Sequence, residues 1–374
     1  MKYYIIAGEA SGDLHGSILV KEIKELDQHA EIRAWGGELM QNEGATVIKH
    51  YRDLAFMGFI EVLFNLRTIL DNMRFCKKDI LEFKPDVLVL IDYPGFNLLI
   101  AEFAHQHGIK VHYYISPQVW AWKKGRVRII RRVVDKMMVI LPFEKDFYQK
   151  YQMEVDFVGH PLLDAISGFQ QPLKTFRAEN QLDDRPIVAL LPGSRKQEIN
   201  RMLKGMLTMI PLFPDHQFVI AAAPSSDLSL YKKITGHQKI AIVQNQTYAL
   251  LQHAKAALVT SGTATLETAL FNVPEVVCYK ANWISYEIAR RIVNIRYISL
   301  VNLIMDREVV TELIQNDFNE ERLKEELGLL LFNKEKQQTL SADYMLLKEE
   351  LGGKGASARV AKIVVDGAKE QKIL

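Results

Sequence analysis

The sequence predicts an α/β protein of two doubly wound parallel domains facing a cleft, and three observations predict it. Short apolar runs alternate with amphipathic helical patterns, which is how strand–helix–strand units read. The alternation occurs twice, on either side of a polar segment from Ser167 to Arg185 that Gly168 and Pro172 interrupt. A chain of 374 residues also exceeds one ordinary hydrophobic core and suits two.

In the first series, strands are expected at Tyr3–Ala7, Glu31–Trp35, Asp86–Ile91, Lys110–Ile115, Lys136–Leu141 and Glu154–Val158. The run Val87-Leu88-Val89-Leu90-Ile91 is apolar throughout, as a parallel strand covered on both faces should be. Helical periodicity marks His15–Leu26, Thr68–Phe83 and Asn97–His107, and Gly108 stands where a helix C-terminus favours glycine. In the second series, strands are expected at Pro186–Leu191, Gln217–Ala222, Ile240–Val243, Ala256–Val259 and Glu275–Tyr279, with helices at Gln197–Met209, Thr247–His253 and Thr263–Phe271. The expected domains run 1–166 and 185–345, with the polar segment as linker. A tail, 346–374, carries Gly352-Gly353-Lys354-Gly355 and a last helix over Val360–Ala368. It is expected to pack back on the first domain or on a partner subunit, and the charged C-terminal helices offer a surface for a homodimer.

Composition narrows the function classes. An apolar share of 48% with 25% charged residues reads as a soluble globular protein, and a net charge of +2 argues against a nucleic-acid binder with a broad cationic face. Cys76 and Cys278 match no metal-ligand or redox spacing and read as buried thiols of a reducing compartment. Glu9 ends the first apolar run too early for a secretory leader, and no stretch approaches the ~20 apolar residues of a membrane span. A cytoplasmic protein is expected, with contact to a membrane surface left open. No Asp-x-Asp motif or His/Cys cluster with ligand spacing occurs, so neither metal nor cofactor is expected.

Ligands of doubly wound sheets bind beyond the carboxyl ends of the strands, so the residues just after each strand carry the chemistry. In the second domain, Pro192-Gly193-Ser194-Arg195 leaves a strand and enters a helix. Glycine admits close approach, serine offers a hydroxyl and arginine suits phosphate oxygens, although an ordinary turn with a solvated arginine would look the same. Ser261-Gly262-Thr263 then opens a helix whose N-terminal N–H groups suit an anion, with Glu267 one turn further on for ribose hydroxyls. Plain N-capping by serine or threonine is the alternative at that turn. Together the two turns point to a nucleotide diphosphate site.

In the first domain, Gly8-Glu9-Ala10-Ser11-Gly12-Asp13 is neither a Walker loop nor a dinucleotide fingerprint. Glu9, Ser11 and Asp13 could meet sugar hydroxyls or a phosphate, or the segment could be a structural turn. Asp92 ends the most apolar strand, where a desolvated carboxylate can serve as general base, or could instead cap the helix near Asn97. Trp120 and Trp122 could stack on a sugar or pack in the core. The basic cluster Lys123, Lys124, Arg126, Arg128, Arg131 and Arg132 could attract phosphates or anionic lipid, or be a solvated face. Leu54–Leu70, with Met57, Phe59, Ile60 and Leu63, is more apolar than a one-sided surface helix needs. It reads as a doubly covered core helix or as a helix meeting acyl chains and a membrane.

Taken together, these segments resemble the lipid-A-disaccharide synthases, inverting glycosyltransferases of the two-Rossmann (GT-B) fold. The resemblance is carried by Ala7-Gly8-Glu9-Ala10-Ser11-Gly12-Asp13, Ile91-Asp92-Tyr93-Pro94-Gly95-Phe96-Asn97 and Ser116-Pro117-Gln118-Val119-Trp120-Ala121-Trp122. Val158-Gly159-His160-Pro161-Leu162, Leu191-Pro192-Gly193-Ser194-Arg195, Ser261-Gly262-Thr263-Ala264-Thr265-Leu266-Glu267 and Leu300-Val301-Asn302-Leu303-Ile304 follow in the same order. The resemblance implies transfer of 2,3-diacylglucosamine from UDP to 2,3-diacylglucosamine 1-phosphate (lipid X), giving a β-1,6 disaccharide and UDP. It implies that Asp92 is catalytic and that Glu9 and Ser11 sit near the acceptor. Gly193, Ser194, Arg195, Ser261, Gly262, Thr263, Glu267 and Asn302 would form the UDP half, with Asn302, Glu308 and Glu312 facing the cleft. Met57, Phe59, Ile60, Leu63, Trp120 and Arg126 would meet the acceptor or the cytoplasmic face of the inner membrane, where the family binds peripherally. The rival readings are a UDP-N-acetylglucosamine 2-epimerase, a glycosyltransferase for another lipid acceptor, and a non-catalytic UDP-sugar binding protein.

Overall fold

Apolar β-branched runs form parallel strands here, and the helices between them cover both faces. The computed structural model describes residues 1–54, 66–121, 125–167, 169–224, 226–236, 238–283, 286–287, 291 and 295–373. The first sheet holds β1 (Lys2–Ala7), β2 (Glu31–Gly36), β3 (Thr46–His50), β4 (Val87–Ile91), β5 (Lys110–Tyr114), β6 (Lys136–Val139) and β7 (Asp156–Phe157), in the order β3-β2-β1-β4-β5-β6-β7. The second holds β8 (Ile187–Leu191), β9 (Gln217–Ala222), β10 (Ala241–Gln244), β11 (Ala254–Thr260), β12 (Glu275–Tyr279) and β13 (Thr311–Ile314), in the order β10-β9-β8-β11-β12-β13. Neighbouring strands pair in parallel throughout both sheets. Each unit is thus a Rossmann-like, doubly wound α/β domain.

Alternation along the strands divides the first unit's core in two. Tyr4, Ile6, Leu88 and Leu90 pack with Met73, Cys76 and Ile80 of the Leu66–Phe83 helix. Tyr3, Ile5, Val87 and Val89 face the other way, onto Leu19 and Ile23 of the Ala10–Leu26 helix and Val360 and Val364 of the Ala356–Ile373 helix. That last helix approaches so closely that a Cβ on Gly367 would stand 2.4 Å from the His112 ring. The return of the chain is fastened by Asp164, which accepts from the N–H groups of Gly355 (2.6 Å) and Ser357 (2.9 Å). Arg359 Nε adds a bond to the Val158 carbonyl at 2.8 Å.

The chain divides into one unit of Met1–Ala165 with Leu351–Leu374, and a second of Ile166–Glu350. The polar stretch expected as a linker therefore belongs to the second unit. It holds the helix Leu173–Glu179, whose Phe176 is fully buried among Ile187, Ala189 and Leu250. One apolar side chain anchors a segment whose composition otherwise reads as loop. Among the described residues, no helix is long and apolar enough to cross a membrane.

Both sheets reverse strand order beside their first strand: β1 leads outward to β2 and β3 before β4 returns to its other side, and β8 does the same with β9, β10 and β11. Such switch points open a crevice at the carboxyl ends of the two diverging strands. In this chain those ends are Ala7 with Ile91, and Leu191 with Thr260.

Candidate functional sites

In the first unit, Ala7 pairs with Ile91, so the backbone of Gly8-Glu9 and that of Asp92-Tyr93 emerge side by side. The Tyr93 ring lies over Gly8 so closely that any Cβ there would meet it at 2.4 Å. Glu9 and Ser11 are exposed at the start of the Ala10–Leu26 helix, where their polar atoms are accessible. Asp13 differs. It is buried, and its carboxylate accepts from the backbone N–H groups of Gly37 (2.7 Å), Leu39 (3.2 Å) and Met40 (3.2 Å). The structure thus turns one expected ligand group inward as a brace for the turn after β2.

Asp92 and Tyr93 both adopt left-handed backbone, with φ of 44° and 49°. That conformation costs an L residue about 1–2 kcal/mol, so the surroundings must hold it. The helix Pro94–Gln106 begins with proline and has Tyr93, not Asp92, at its N-cap, without a side-chain cap bond. The carboxylate of Asp92 is therefore not consumed in capping. Burial pushes this carboxyl up to about 6, and the nearby Glu9 carboxylate adds to the rise, while a hydrogen bond from the Tyr93 backbone N–H opposes it. The next strand end is strained too: Ile115 has φ of 64°, a genuine outlier for a β-branched residue.

Trp120 is half-buried and packs edge-on against Phe143 at 4.9 Å, beside Glu144. Burial pushes the Glu144 carboxyl up to about 7, against hydrogen bonds from the Leu141 and Ile140 N–H groups. Arg126, half-buried at the start of the Arg126–Val133 helix, lies within electrostatic reach of Tyr113. The basic cluster is split by role. Arg128, Arg131 and Arg132 are all exposed; Arg131 binds the Tyr151 carbonyl and Arg132 pairs with Glu102. Met57, Phe59, Ile60 and Leu63 lie outside the described residues, as do Trp122, Lys123 and Lys124.

In the second unit, Leu191 pairs with Val259, so the turns after β8 and β11 are neighbours. Gly193 has φ of 95°, and a Cβ there would stand 2.8 Å from Glu198 Oε2 and 3.4 Å from Thr260 Cγ2. Only glycine fits between those two groups in that conformation. Arg195 takes the N-cap of the Lys196–Leu207 helix, and its backbone N–H donates to Glu198 Oε2 at 3.3 Å. Its guanidinium is 72% exposed and reaches Glu198 only at 3.4 Å, which leaves donors available; Ser194 is exposed beside it.

Gly262 occupies the N-cap of the Thr263–Leu270 helix and supplies no side-chain cap. The serine before it does not cap either: Ser261 Oγ donates to the Ile298 carbonyl at 2.8 Å. Gly262 and Thr263 are exposed, so this helix start presents N–H groups and a positive dipole end to solvent. One turn on, burial pushes the Glu267 carboxyl up to about 7, and the Tyr248 hydroxyl donates to it at 3.2 Å. Tyr248 is held by Phe271 (5.3 Å) and Phe169 (5.7 Å), a support with no signal in the local sequence.

Asn302 is buried and its amide is saturated. Nδ2 donates to the Val310 carbonyl (2.8 Å) and Glu312 (2.9 Å), and Oδ1 accepts from the N–H groups of Val309 (2.8 Å) and Val310 (3.0 Å). Two donors and two acceptor sites are all an amide offers, so Asn302 has none left for a ligand in this arrangement. Glu312 also accepts from Ile298 and Ser299, and the carbonyl of Ile298 is the group that Ser261 binds. The expected cleft pair is thus a brace behind the Ser261 turn, while Glu308 is exposed.

A family model described as lipid-A-disaccharide synthetase matches residues 3–364. The lipid-A-disaccharide synthase of Syntrophus aciditrophicus is 40% identical over 96% of this chain and 95% of its own. Among solved structures, the UDP-GlcNAc 2-epimerase of Neisseria meningitidis bound to UDP-GlcNAc superposes with a TM-score of 0.69 at 12% identity, covering 98% of this chain and 100% of its own. A kitacinnamycin glycotransferase does so with a TM-score of 0.64 at 13% identity, covering 98% of this chain and 99% of its own. At such identities the two structures share the fold alone, so the likeness to an epimerase carries no isomerase activity with it.

Proposed function

The chain belongs to the lipid-A-disaccharide synthase family, and from that membership we propose how its residues divide the work of glycosyl transfer in lipid A biosynthesis. The second unit takes the UDP-linked diacylglucosamine donor. The Thr263 helix start and the Arg195 guanidinium hold the diphosphate and stabilise the charge that grows on it as the glycosidic bond breaks. Gly193 and Gly262 admit the phosphates, Ser194 adds a hydroxyl, and Glu267, steadied by Tyr248, accepts from ribose hydroxyls. Ser261 and Asn302 keep that turn in shape. Charge neutralisation by arginine and a helix dipole makes the transfer metal-independent.

The first unit takes the acceptor, 2,3-diacylglucosamine 1-phosphate. Glu9 and Ser11 meet the acceptor sugar, and Asp92 removes the proton from its attacking hydroxyl. That oxygen attacks the anomeric carbon from the face opposite UDP, so the configuration inverts and a β-1,6 bond forms as UDP leaves. The observation that carries this reading is Asp92 itself: a desolvated carboxylate at a switch point, pushed up to about 6 by burial and by exposed Glu9. A base is most effective with a pKa near the working pH.

Turnover of Asp92→Asn tests it. The variant should lose at least ~100-fold in kcat, within the range general-base removal costs. Near-normal turnover of Asp92→Asn would remove Asp92 from the role.

We also assign the enzyme a peripheral position on the cytoplasmic face of the inner membrane. Its substrates are acylated, and Leu70, Phe75 and Leu99 of the first unit are 47%, 46% and 51% exposed. Flotation with anionic vesicles should weaken as salt rises and in Phe75→Ser; salt-independent absence of binding would contradict the assignment.

A further inference from the structure

The left-handed backbone of Asp92 is bonded by three neighbours. Its N–H donates to the Tyr114 carbonyl at 3.0 Å, which continues the β4–β5 ladder one residue past the strand. Its carbonyl accepts two side-chain bonds: from Tyr113 OH at 2.6 Å and from Asn97 Nδ2 at 2.7 Å. Asn97 Nδ2 also donates to the Ile91 carbonyl at 3.2 Å, so one amide spans both peptides on which the carboxylate swings. Tyr113 lies on β5 opposite Leu90, and Asn97 lies in the first turn of the helix that follows Asp92. Both are fully buried. A strand and a helix therefore grip the same carbonyl from two sides.

The geometry points to Tyr113 and Asn97 as positioning residues for catalysis, whose two hydrogen bonds to the Asp92 carbonyl fix the direction in which its carboxylate leaves the strand end. Without them, φ at Asp92 relaxes toward the ordinary extended or helical regions and the carboxylate turns out of its desolvated seat. The inference rests on Asp92 being the base. It adds that the backbone is held in its strained form by these two side chains and not by the strand register alone.

Steady-state kinetics of full-length Tyr113→Phe and Asn97→Ser, each as a pH profile beside wild type and Asp92→Asn, test the assignment. Tyr113→Phe keeps the ring and the core and removes only the hydroxyl. The expected result is a kcat about 10- to 100-fold lower, as misplacement of a catalytic group by about an ångström produces. KM for either sugar should stay unchanged, and the acid limb of kcat should move to lower pH as the carboxylate gains water. Wild-type kcat and an unmoved acid limb in Tyr113→Phe, with Asp92→Asn inactive, would overturn the positioning role alone. A lower thermal midpoint with an unmoved acid limb would also overturn it, because a packing residue does that. Full activity of Asp92→Asn would overturn the base and its positioning together. Should Asn97→Ser fail to fold, Tyr113→Phe decides by itself.

Discussion

At the scale of single residues, the chemistry depends on which polar groups are left uncommitted. Asp13, which the sequence offers to sugar hydroxyls or a phosphate, is spent on three backbone N–H groups, whereas Asp92, which it offers as a base or a cap, is a desolvated carboxyl pushed up to about 6. Glu9 acts on Asp92 through charge, since its carboxylate raises the neighbour's proton affinity. In Glu9→Gln that repulsion disappears, so the acid limb of kcat should move to lower pH; an acid limb that stayed put or rose would separate Glu9 from Asp92. Asn302 makes the opposite case. Replacing it with alanine leaves the Val309 and Val310 N–H groups and part of Glu312 without partners, each a buried loss of about 1–3 kcal/mol. Asn302→Ala should lower the thermal midpoint and weaken UDP binding together, as calorimetry and a binding titration would record. Weaker UDP binding at an unchanged midpoint would instead mark a direct ligand contact.

At the scale of elements, what the sequence made legible was what burial on two faces demands. β1, β4, β8, β9 and β12 are near-continuous apolar runs, and they form within a residue of where those runs lie. β3 and β13 were not legible because Thr46, Lys49 and His50, or Thr311 and Glu312, break the apolar pattern, whereas the other two edges, β7 and β10, keep enough of it to be expected. The helix Leu173–Glu179 was hidden for a related reason, since Phe176 is its only buried side chain. The strand-end turns were legible as motifs because Gly-Ser-Arg and Ser-Gly-Thr are local. Their partners were not. Tyr113 reaches Asp92 across the sheet, Tyr248 reaches Glu267 from another helix, and Ser261 reaches Ile298, each over a sequence separation that local spacing cannot reveal.

At the scale of the whole molecule, the two units carry opposite dependences on pH. His15, His112 and His160 are buried in the first unit, where desolvation lowers them to about 4, 3 and 3. Their unfolded value is about 6.5, so the unfolded chain takes up protons first, and stability complete above that pH is lost as it falls. Each histidine removes up to about 1.4 kcal/mol per pH unit over that window. In the second unit Glu267 is raised to about 7 and fully buried Glu275 stands well above its ordinary value, both by desolvation. Raised carboxyls act in reverse: their contribution is present in acid and lost as pH rises through the folded value. Asp92 and Glu144 temper the first unit's response without cancelling three histidines. Between pH 7 and pH 5, hydrogen exchange should therefore show β1, β4 and β5 losing protection relative to β8, β9 and β11. Equal change in both sheets would contradict this division.

We propose that one chain joins two acylated glucosamines with a carboxylate base and no obligatory metal. The most direct measurement is turnover of the purified protein with UDP-2,3-diacylglucosamine and 2,3-diacylglucosamine 1-phosphate in EDTA, with the products identified by anomeric configuration. A β-1,6 disaccharide and UDP should form in equal amounts, at a rate that rises with pH through about 6 as Asp92 loses its proton. UDP binding with both sugars returned unchanged, or an α-linked product, would contradict it.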